Sequence, residues 1–339
     1  MTRIKFGSPR YARDLTEFAA WCELAEQVGL DVIGYGDSST LWIDPFVALT
    51  LAARHTKKAR LVTTVTNPVT RHPAVMASSF AGLQAASNGR AVMGIGGGDS
   101  ALLNLGMKPP PLDYFEAYVQ AVRGLTEGRE VVWQDRRLKL QWPVQRTPVW
   151  VAANGPKTMR MAGRVADGVI VGLGVDEAAV RETLKHVGEG AREAGRKMED
   201  IEIWWMIRPL ISRTEREGWE QLRFLLCGGA NHVFRFTFEG KGAPPELHAA
   251  LTQLQKEYRT DLHSDYRHAD GPNAQLVDKL GLLEYLGRRF AVTGPPDQVA
   301  EGFKKIASWG ATNFLLIQVV EDRIGALKQM AEQVFPRLG

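Results

Sequence analysis

Short apolar runs alternate with longer segments of helical spacing along most of this chain. The runs Asp31–Tyr35, Leu61–Val65 and Ala91–Gly94 are almost continuously apolar and do not alternate with polar residues. Strands of this kind are typical of parallel sheets that are covered on both faces. Between them, segments such as Leu15–Val28 repeat apolar residues at the intervals of an amphipathic helix. The pattern therefore predicts repeated strand–helix units.

Counting along the chain, we predict eight strands, each followed by a helix. The predicted strands are Arg3–Phe6, Asp31–Tyr35, Leu61–Val65, Ala91–Gly94, Val149–Ala152, Gly168–Val171, Ile201–Ile207 and Asn313–Ile317. Eight such units favour a (β/α)8 barrel, whereas an open doubly wound sheet normally stops at about six strands. We therefore expect one α/β barrel domain spanning residues 1–339. By strand periodicity, Trp204 and Trp205 point to opposite faces of the seventh strand.

Two segments interrupt this rhythm. Val131–Trp142 has the pattern of a small hairpin, with its turn at Asp135-Arg136-Arg137. The longer segment, residues 231–285, is polar and rich in His, Arg and Asp, and it precedes the eighth strand–helix unit. Segments inserted at the rim of a barrel commonly serve as lids and specificity loops. We therefore predict that 231–285 is a rim insertion.

Composition and charge narrow the classes of partner. The net charge is +4, from 42 basic and 38 acidic residues, and the two signs are mixed along the chain. This balance argues against nucleic acid and fits a small anionic ligand. No apolar run approaches the roughly 20 residues that span a bilayer, and the first residues lack the pattern of a signal peptide. With only Cys22 and Cys227, both in apolar contexts, we expect a cytoplasmic protein with no membrane partner.

Glycines and small polar residues follow several of the predicted strands, where a barrel builds its active site. Glycine clusters there present backbone N–H groups that can form a nest for phosphate oxygens. Because both glycine-containing loops would face the same rim, we predict a bipartite anion site. The candidate residues are Asp37 after the second strand, Val65, Thr66 and Asn67 at the third, Gly97, Gly98, Asp99 and Ser100 after the fourth, and Gly155, Pro156, Lys157 and Thr158 after the fifth.

Alternatives stay open for individual residues. The glycines at 96–100, taken alone, are also typical of a tight turn between a strand and a helix, and no Walker A or dinucleotide motif accompanies them. Asp37 can cap the turn that follows it, and Asp99 can cap a helix, instead of contacting a ligand. For Arg71 we expect a structural pairing with a neighbouring carboxylate.

Three groups of motifs resemble the bacterial luciferase-like superfamily of flavin- and deazaflavin-dependent enzymes. They are Thr66-Asn67-Pro68-x-Thr70-Arg71-His72-Pro73 with Ser87-x-Gly89-Arg90-x-x-x-Gly94-x-Gly96, then Gly155-Pro156-Lys157-Thr158 with Ala166-Asp167-Gly168-Val169, and lastly Gly294-Pro295-Pro296-x-x-Val299-Ala300. Together they cover most of the chain in order, except the insertion. Within the superfamily the chain is most similar to the coenzyme F420-dependent methylenetetrahydromethanopterin reductases, which also carry a Gly-Asp pair after the fourth strand.

The resemblance implies a (β/α)8 barrel with the flavin or deazaflavin ring near the end of the third strand. It also implies a bulge there with a non-prolyl cis peptide bond around Thr64, Val65 and Thr66. Asn67 would contact the ring edge, and Asp37, the catalytic candidate, would lie over the reacting ring atoms. The phosphate would be held by Gly97, Gly98, Ser100 and the turn of Gly155, Pro156, Lys157 and Thr158, and Asp99 is a further cofactor-binding candidate.

Two chemistries are consistent with this resemblance. With FMN, reduced by a separate flavin reductase, the enzyme would be a monooxygenase acting on a small organic substrate. With coenzyme F420, it would be a reductase or dehydrogenase that transfers a hydride, and oxygen would take no part. Similarity to the reductases favours F420, whereas the wider use of FMN among similar proteins favours FMN. We expect the FMN-dependent monooxygenase, with the F420-dependent enzyme as the alternative and a cofactor-free barrel or binding protein as a remote third. We expect a small-molecule substrate and a homodimer.

The charges of the insertion allow two interpretations. Its histidines lack the spacing of a zinc site, so we predict no metal: these are His232, His248, His263 and His268. Its arginines make the segment cationic: these are Arg259, Arg267, Arg288 and Arg289. They form either a solvated surface or, for Arg288 and Arg289, a clamp for an anionic substrate or for the acidic tail of F420.

Overall fold

The computed structural model describes residues 3–262, 267 and 269–339. Its strands are β1 (Lys5–Pro9), β2 (Val32–Tyr35), β3 (Arg60–Thr63), β4 (Ala91–Ile95), β5 (Val131–Trp133), β6 (Arg136–Leu138), β7 (Val149–Ala152), β8 (Gly168–Val171), β9 (Glu202–Ile211), β10 (Ala291–Gly294) and β11 (Asn313–Leu316). Strands β5 and β6 form the predicted hairpin. Its turn is at Gln134 and Asp135, which both have positive φ, and not at the predicted Asp135-Arg136-Arg137, because Arg136 and Arg137 pair with β5.

The helices fill the intervals between the strands. They are α1 (Leu15–Gln27), α2 (Pro45–His55), α3 (Pro73–Ser87), α4 (Ser100–Leu103), α5 (Leu112–Thr126), α6 (Pro156–Val165), α7 (Glu177–Glu193), α8 (Glu215–Phe234), α9 (His248–Glu257), α10 (Pro272–Lys279), α11 (Leu283–Phe290), α12 (Pro296–Ser308) and α13 (Arg323–Gln333). Within the described residues, no helix is both long enough and apolar enough to cross a membrane.

Eight parallel strands close into a barrel. The order is β1–β2–β3–β4–β7–β8–β9–β11, and β11 pairs with β1 to complete the ring. Strands β2, β4 and β8 are buried along their whole length, as expected for parallel strands covered on both faces. The predicted (β/α)8 fold is confirmed.

Side chains fill the interior of the barrel as a separate cluster from the outer core. Its buried members are Val32, Val62, Val92, Trp150, Ile170, Trp204 and Leu315. The rings of Trp150 and Trp204 stack with centroids 5.4 Å apart. Trp205 belongs instead to the outer core between strands and helices, so the predicted opposite orientation of the two tryptophans is confirmed. The barrel is therefore packed solid below its mouth.

The amino-terminal end of the barrel is closed by a charged pair. Arg60 donates two hydrogen bonds to the carboxylate of Glu202, at 2.7 and 2.9 Å. Its guanidinium also lies 4.7 Å from the ring centroid of Trp150, a cation–π geometry. Arg60 and Glu202 are the first residues of β3 and β9, so this ion pair stabilises the end of the barrel opposite the expected active site.

Strand β9 is longer than predicted and continues above the barrel. Its last four residues pair with β10, with Arg208 opposite Ala291 and Ile211 opposite Gly294. Strand β10 was not among the predicted strands, because its four residues lie next to the polar insertion and carry little pattern. The β9–β10 extension gives the mouth of the barrel a wall on one side.

Helix α8 is also longer than the sequence predicts. The expected helix covers Trp219–Leu226, whereas the observed helix begins after its cap Thr214 and continues to Phe234. The pair Gly228-Gly229 suggests a helix end, but buried residues continue at helical spacing through Ala230 and Val233. The insertion 231–285 therefore begins inside α8 and ends inside α11.

Gly94 allows a close approach between β4 and β3. A Cβ atom at this position would lie 1.9 Å from the carbonyl oxygen of Thr63, so Gly94→Ala forces the backbone to shift. We expect this change to lower the free energy of unfolding by about 3 kcal/mol. Gly82→Ala is the control, because a Cβ there meets no atom within 4 Å and alanine favours helix α3 by about 0.5–1 kcal/mol. Urea unfolding measures both changes, and equal stabilities of the two variants would contradict the expectation.

Candidate active site

The chain bulges where β3 ends. The Thr64–Val65 peptide bond is cis, at the position that the resemblance implies. Thr66 then returns to the sheet as a bridge to Ile95, with Thr66 N donating to Gly94 O and Gly96 N donating to Thr66 O, both at 2.9 Å. The predicted bulge is confirmed, and it fixes the direction of the residues that follow.

Asp37 is held by two partners in this bulge and its loop. Its Oδ2 atom accepts a hydrogen bond of 2.6 Å from the Thr66 hydroxyl and another from Arg71 Nη1. Arg71 also donates to Asp44, at 2.7 Å. The side chain of Asp37 is 3% exposed and that of Arg71 is 17% exposed, so this ion pair is largely shielded from water. The pairing expected of Arg71 is confirmed, and it ties the loop after β2 to the loop after β3.

Asn67 carries a buried donor without a partner. Its Oδ1 atom accepts from the N–H groups of Val69 and Thr70, at 3.0 and 2.9 Å, so the orientation of the amide is fixed. Its Nδ2 atom is buried and has no hydrogen-bond partner, in a residue that is 1% exposed. Buried polar atoms are almost always satisfied, so such a donor indicates a missing ligand atom. This observation fits the ring edge that the resemblance assigns to Asn67.

An apolar floor lies on top of the interior cluster. It consists of Val65, Ala152 and Met206, which are half-buried and pack against that cluster. Two glycines border this floor: a Cβ on Gly96 would lie 3.0 Å from Val65, and a Cβ on Gly172 would lie 3.5 Å from the Met206 sulfur. A flat, largely apolar surface of this kind suits one face of a planar ring.

The glycine loop after β4 makes few contacts of its own. Gly98 has φ of +101°, in the region that favours glycine, and its Cβ would lie only 2.3 Å from Leu102. The Ser100 hydroxyl lies 2.9 Å from the Ser38 hydroxyl, which joins the loops after β4 and β2. Gly97 has open space where a side chain would be. The backbone of this loop is accessible to a ligand from the mouth.

Asp99 does not cap the helix that follows it. Its carboxylate is 3.1 Å from His232 Nδ1 and 3.2 Å from Arg235 Nη1, both at the end of α8. Burial alone would raise the pKa of Asp99, but the hydrogen bond to His232 and the charges of His232 and Arg235 hold it well below its usual value. Asp99 therefore anchors the end of α8 over the loop after β4. These contacts account for the position of Asp99 without a side-chain helix cap and without a direct ligand contact.

The second predicted anion loop lies at the start of α6. Gly155 is the N-cap residue of this helix. Because glycine has no side chain, the first N–H groups of the helix have no side-chain cap. Lys157 is exposed and Thr158 is half-buried. The segment after α8 packs here: a Cβ on Gly240 would lie 2.4 Å from Pro156. A ten-residue helix with an uncapped amino terminus favours an anion.

Lys241 lies beside this helix start. A Cβ on Gly155 would be 3.9 Å from its Cε atom, and its Nζ atom donates to the carbonyl oxygen of Val233. Burial, together with the nearby charges of Arg235 and Arg289, lowers the pKa of Lys241 to about 8. The short segment 232–241 therefore contacts both predicted anion loops: His232 and Arg235 contact Asp99, and Gly240 and Lys241 lie against Pro156 and Gly155. The sequence motifs contain no signal for Arg235 or Lys241, because both lie in the insertion.

Arg289 has a structural role, which corrects the suggested clamp. It is fully buried, and its guanidinium donates to the carbonyl oxygens of Leu173, Gly242 and Lys241 and to the carboxylate of Asp176. Arg288 is exposed and pairs with Glu284 on its own helix. Arg289 is therefore not available to a ligand as the clamp requires, and the suggested role of Arg288 stays a prediction.

The described residues contain no group of three or more His, Cys, Asp or Glu side chains arranged to hold a metal ion. His263 and His268 lie outside the described residues. Cys22 and Cys227 are buried free thiols.

Comparison with known families decides the class of protein. The family model described as luciferase-like monooxygenase matches residues 1–313. The chain belongs to this family. The motif resemblance that begins at Thr66 is thereby confirmed at the level of the family, and the protein is an oxidoreductase.

Two curated relatives match almost the whole chain. The 5,10-methylenetetrahydromethanopterin reductase of Methanopyrus kandleri is 26% identical, covering 99% of each chain. An F420-dependent glucose-6-phosphate dehydrogenase of Amycolatopsis mediterranei is 26% identical, covering 96% of this chain and 94% of that protein. Among solved structures, the coenzyme F420-dependent tetrahydromethanopterin reductase of Methanopyrus kandleri superposes over the full length of both chains with a TM-score of 0.76 at 22% identity, which supports the fold.

The Asp37–Arg71 pair gives a stability prediction. Arg71→Leu leaves the buried carboxylate of Asp37 without its cation, so we expect a loss of about 3 kcal/mol in the free energy of unfolding. Combining it with Asp37→Asn removes the stranded charge and should recover part of that loss. Urea unfolding of the two single variants and the double variant measures the coupling. Strictly additive losses would show that the pair does not hold the two loops together.

Lys241 gives a pH prediction. Because its pKa is lowered from 10.5 to about 8 in the folded chain, the unfolded chain binds this proton more tightly between those values. The contribution of Lys241 to the free energy of unfolding therefore rises as pH increases from about 8 to about 10.5. Lys241→Met removes this titrating group. The free energy of unfolding of the wild type, measured with urea relative to that of the variant, should therefore rise across this pH window. A flat difference would show that Lys241 is not buried beside other cations.

Proposed function

We propose that this chain is a coenzyme F420-dependent oxidoreductase that transfers a hydride to or from a small organic substrate at the barrel mouth. The observation that carries the proposal is the buried, unpartnered Nδ2 donor of Asn67 beside the apolar floor. A donor next to a flat apolar surface matches a planar ring with carbonyl oxygens at its edge. When bound, the deazaflavin supplies the hydride chemistry at its C5 atom, and the protein supplies placement.

The residues divide into those that hold the ring and those that hold the phosphate. Asn67 would donate to a ring carbonyl, and the floor of Val65, Ala152 and Met206 would support one face. For the phosphate we propose the backbone at Gly97–Ser100, the amino terminus of α6 from Gly155 to Thr158, and the charges of Lys157 and Lys241. This set is the predicted bipartite anion site with Lys241 added.

Asp37 has a positioning role in this proposal. Thr66 and Arg71, which both donate to its carboxylate, belong to the bulge and the loop that carry Asn67. We propose that helix α8, whose end is anchored to Asp99, also limits the access of water from one side. A closed site protects a hydride donor from side reactions.

The choice of F420 over FMN rests on the relatives, and it reverses the order expected from the wider use of FMN among similar proteins. One whole-length relative is named as F420-dependent, and so is a full-length structural neighbour. An FMN-dependent monooxygenase served by a separate flavin reductase stays the second candidate, because the family model itself is described as a monooxygenase. A homodimer and a small-molecule substrate stay predictions under both candidates.

Ligand titration separates these candidates. We expect the purified chain to bind F420 at least about tenfold more tightly than FMN, a difference of about 1.4 kcal/mol, when followed by fluorescence. Oxidation of reduced F420 by an organic acceptor should proceed without oxygen. Tighter binding of FMN with substrate-dependent oxygen uptake would favour the monooxygenase. Binding of neither cofactor would reject both.

Asn67→Asp is the sharp variant for the site. The new carboxylate keeps the acceptor for Val69 and Thr70 but replaces the Nδ2 donor, so we expect F420 affinity to fall about 10- to 100-fold with the fold retained. Asn104→Asp is the matched control, because Asn104 is exposed and its side-chain amide donates to the hydroxyl of Thr40, away from the apolar floor. Equal F420 affinity in the two variants would remove Asn67 from the site.

A further inference from the structure

Arg208 is a buried cation without a counter-charge. The residue is 8% exposed, and its Nε and Nη1 atoms are buried with no hydrogen-bond partner. Burial lowers the pKa of its guanidinium to about 10, and no carboxylate among the described residues opposes that effect. Its one described close interaction is with the Phe290 ring, 5.2 Å from the guanidinium carbon.

The side chain of Arg208 belongs to the face of β9 that lines the barrel interior. Successive residues of a strand alternate between faces, so Trp204, Met206 and Arg208 share one face. Trp204 lies inside the barrel, and Met206 forms part of the apolar floor of the mouth. Arg208 therefore stands one step above that floor, towards the opening.

Helix α8 covers Arg208 from above. Parallel partners point to the same side, so Arg208 and Leu210 share a face with Ala291 and Thr293 of β10. The Thr293 hydroxyl donates to the carbonyl oxygen of Glu215, which shows that α8 packs on this face. Further along α8, a Cβ on Gly229 would lie 2.7 Å from Arg208 Nη2, so the missing side chain at Gly229 makes room for the guanidinium.

Arg289 shows how this fold satisfies a buried guanidinium. It is also buried against Phe290, but it has one carboxylate and three carbonyl partners. An ion removed from water costs several kcal/mol unless such partners replace the lost hydration. Arg208 is buried without such partners, so its guanidinium lacks a hydrogen-bond acceptor at the barrel mouth.

We infer that Arg208 is the binding residue for an oxyanion, a carboxylate or a phosphate, of the molecule that enters the barrel mouth. A guanidinium suits such groups because it offers two parallel N–H donors. The inference rests on the proposed function in one respect: the cofactor phosphate is placed at Gly155 and Lys241, so the oxyanion at Arg208 belongs to the substrate. It restricts the substrate to acidic organic molecules.

Thermal unfolding in chloride buffer, with and without inorganic phosphate, tests this inference. Without phosphate, we expect Arg208→Met to unfold at or above the temperature of the wild type, because it removes an unpaired buried charge. Phosphate should raise the midpoint of the wild type by about 1–2 °C more than that of Arg208→Met. Arg289→Met is the matched control: it removes a partnered arginine, so it should unfold well below the wild type and keep the phosphate response if it remains folded.

Three results would overturn the inference. The first is an Arg208→Met variant that unfolds well below the wild type, as expected of a purely structural arginine. The second is an equal phosphate response with and without Arg208. The third is the absence of a phosphate response in the wild type. Fluorescence titration with F420 identifies the source of the oxyanion. Unchanged F420 affinity in Arg208→Met assigns it to the substrate, whereas a loss of about tenfold or more assigns it to the cofactor and overturns the restriction on substrate. If the wild type fails to bind F420, the proposed function fails, while the phosphate comparison still decides the role of Arg208.

Discussion

The close approach of β3 and β4 at Gly94 is the constraint on which the site depends. Only a residue without a side chain allows the Thr63 carbonyl to lie against this strand, and the chain can then bulge through the cis Thr64–Val65 bond. The bulge sets Val65 on the interior cluster and presents the Thr66 hydroxyl to Asp37. It thereby fixes the Asn67 amide with a donor that nothing in the described chain accepts.

The insertion completes the mouth that the barrel begins. Helix α8 starts on the β9–β10 extension and ends at Asp99, so one helix contacts both sides of the opening. Its last residues and the segment that follows bring His232, Arg235 and Lys241 to the glycine loops. Arg208 lies beneath the middle of the same helix. Arg235, Lys241 and Arg208 thus lie near the opening, and of these Arg235 pairs with Asp99.

The sequence predicts the barrel well because its information is local. Continuous apolar runs such as Gly168–Val171 have no alternative to a buried strand, and the observed bounds of that strand agree with the predicted ones. Strand β10 and the second half of α8 escape prediction, because β10 is short and Gly228-Gly229 resembles a helix end. Packing against distant elements keeps α8 helical beyond Gly228-Gly229, and no local sequence pattern encodes that packing.

Site residues divide in the same way. Asn67, the glycine loops and Gly155–Thr158 belong to motifs, so a resemblance finds them. Arg208 sits in the strand Glu202–Ile211 among apolar residues, and Lys241 sits in a polar insertion, so neither has a motif. Their importance comes from what surrounds them in three dimensions: a missing acceptor at Arg208 and a helix start beside Lys241. The groups that surround a charged side chain in the folded protein cannot be predicted from its neighbours in the sequence.

A crystal structure of the chain with F420 tests the central claim most directly. The account predicts the deazaflavin ring on the floor of Val65, Ala152 and Met206, with a ring oxygen within about 3.2 Å of Asn67 Nδ2. A ring bound away from this floor, or an Asn67 amide that donates to the protein instead, would contradict it.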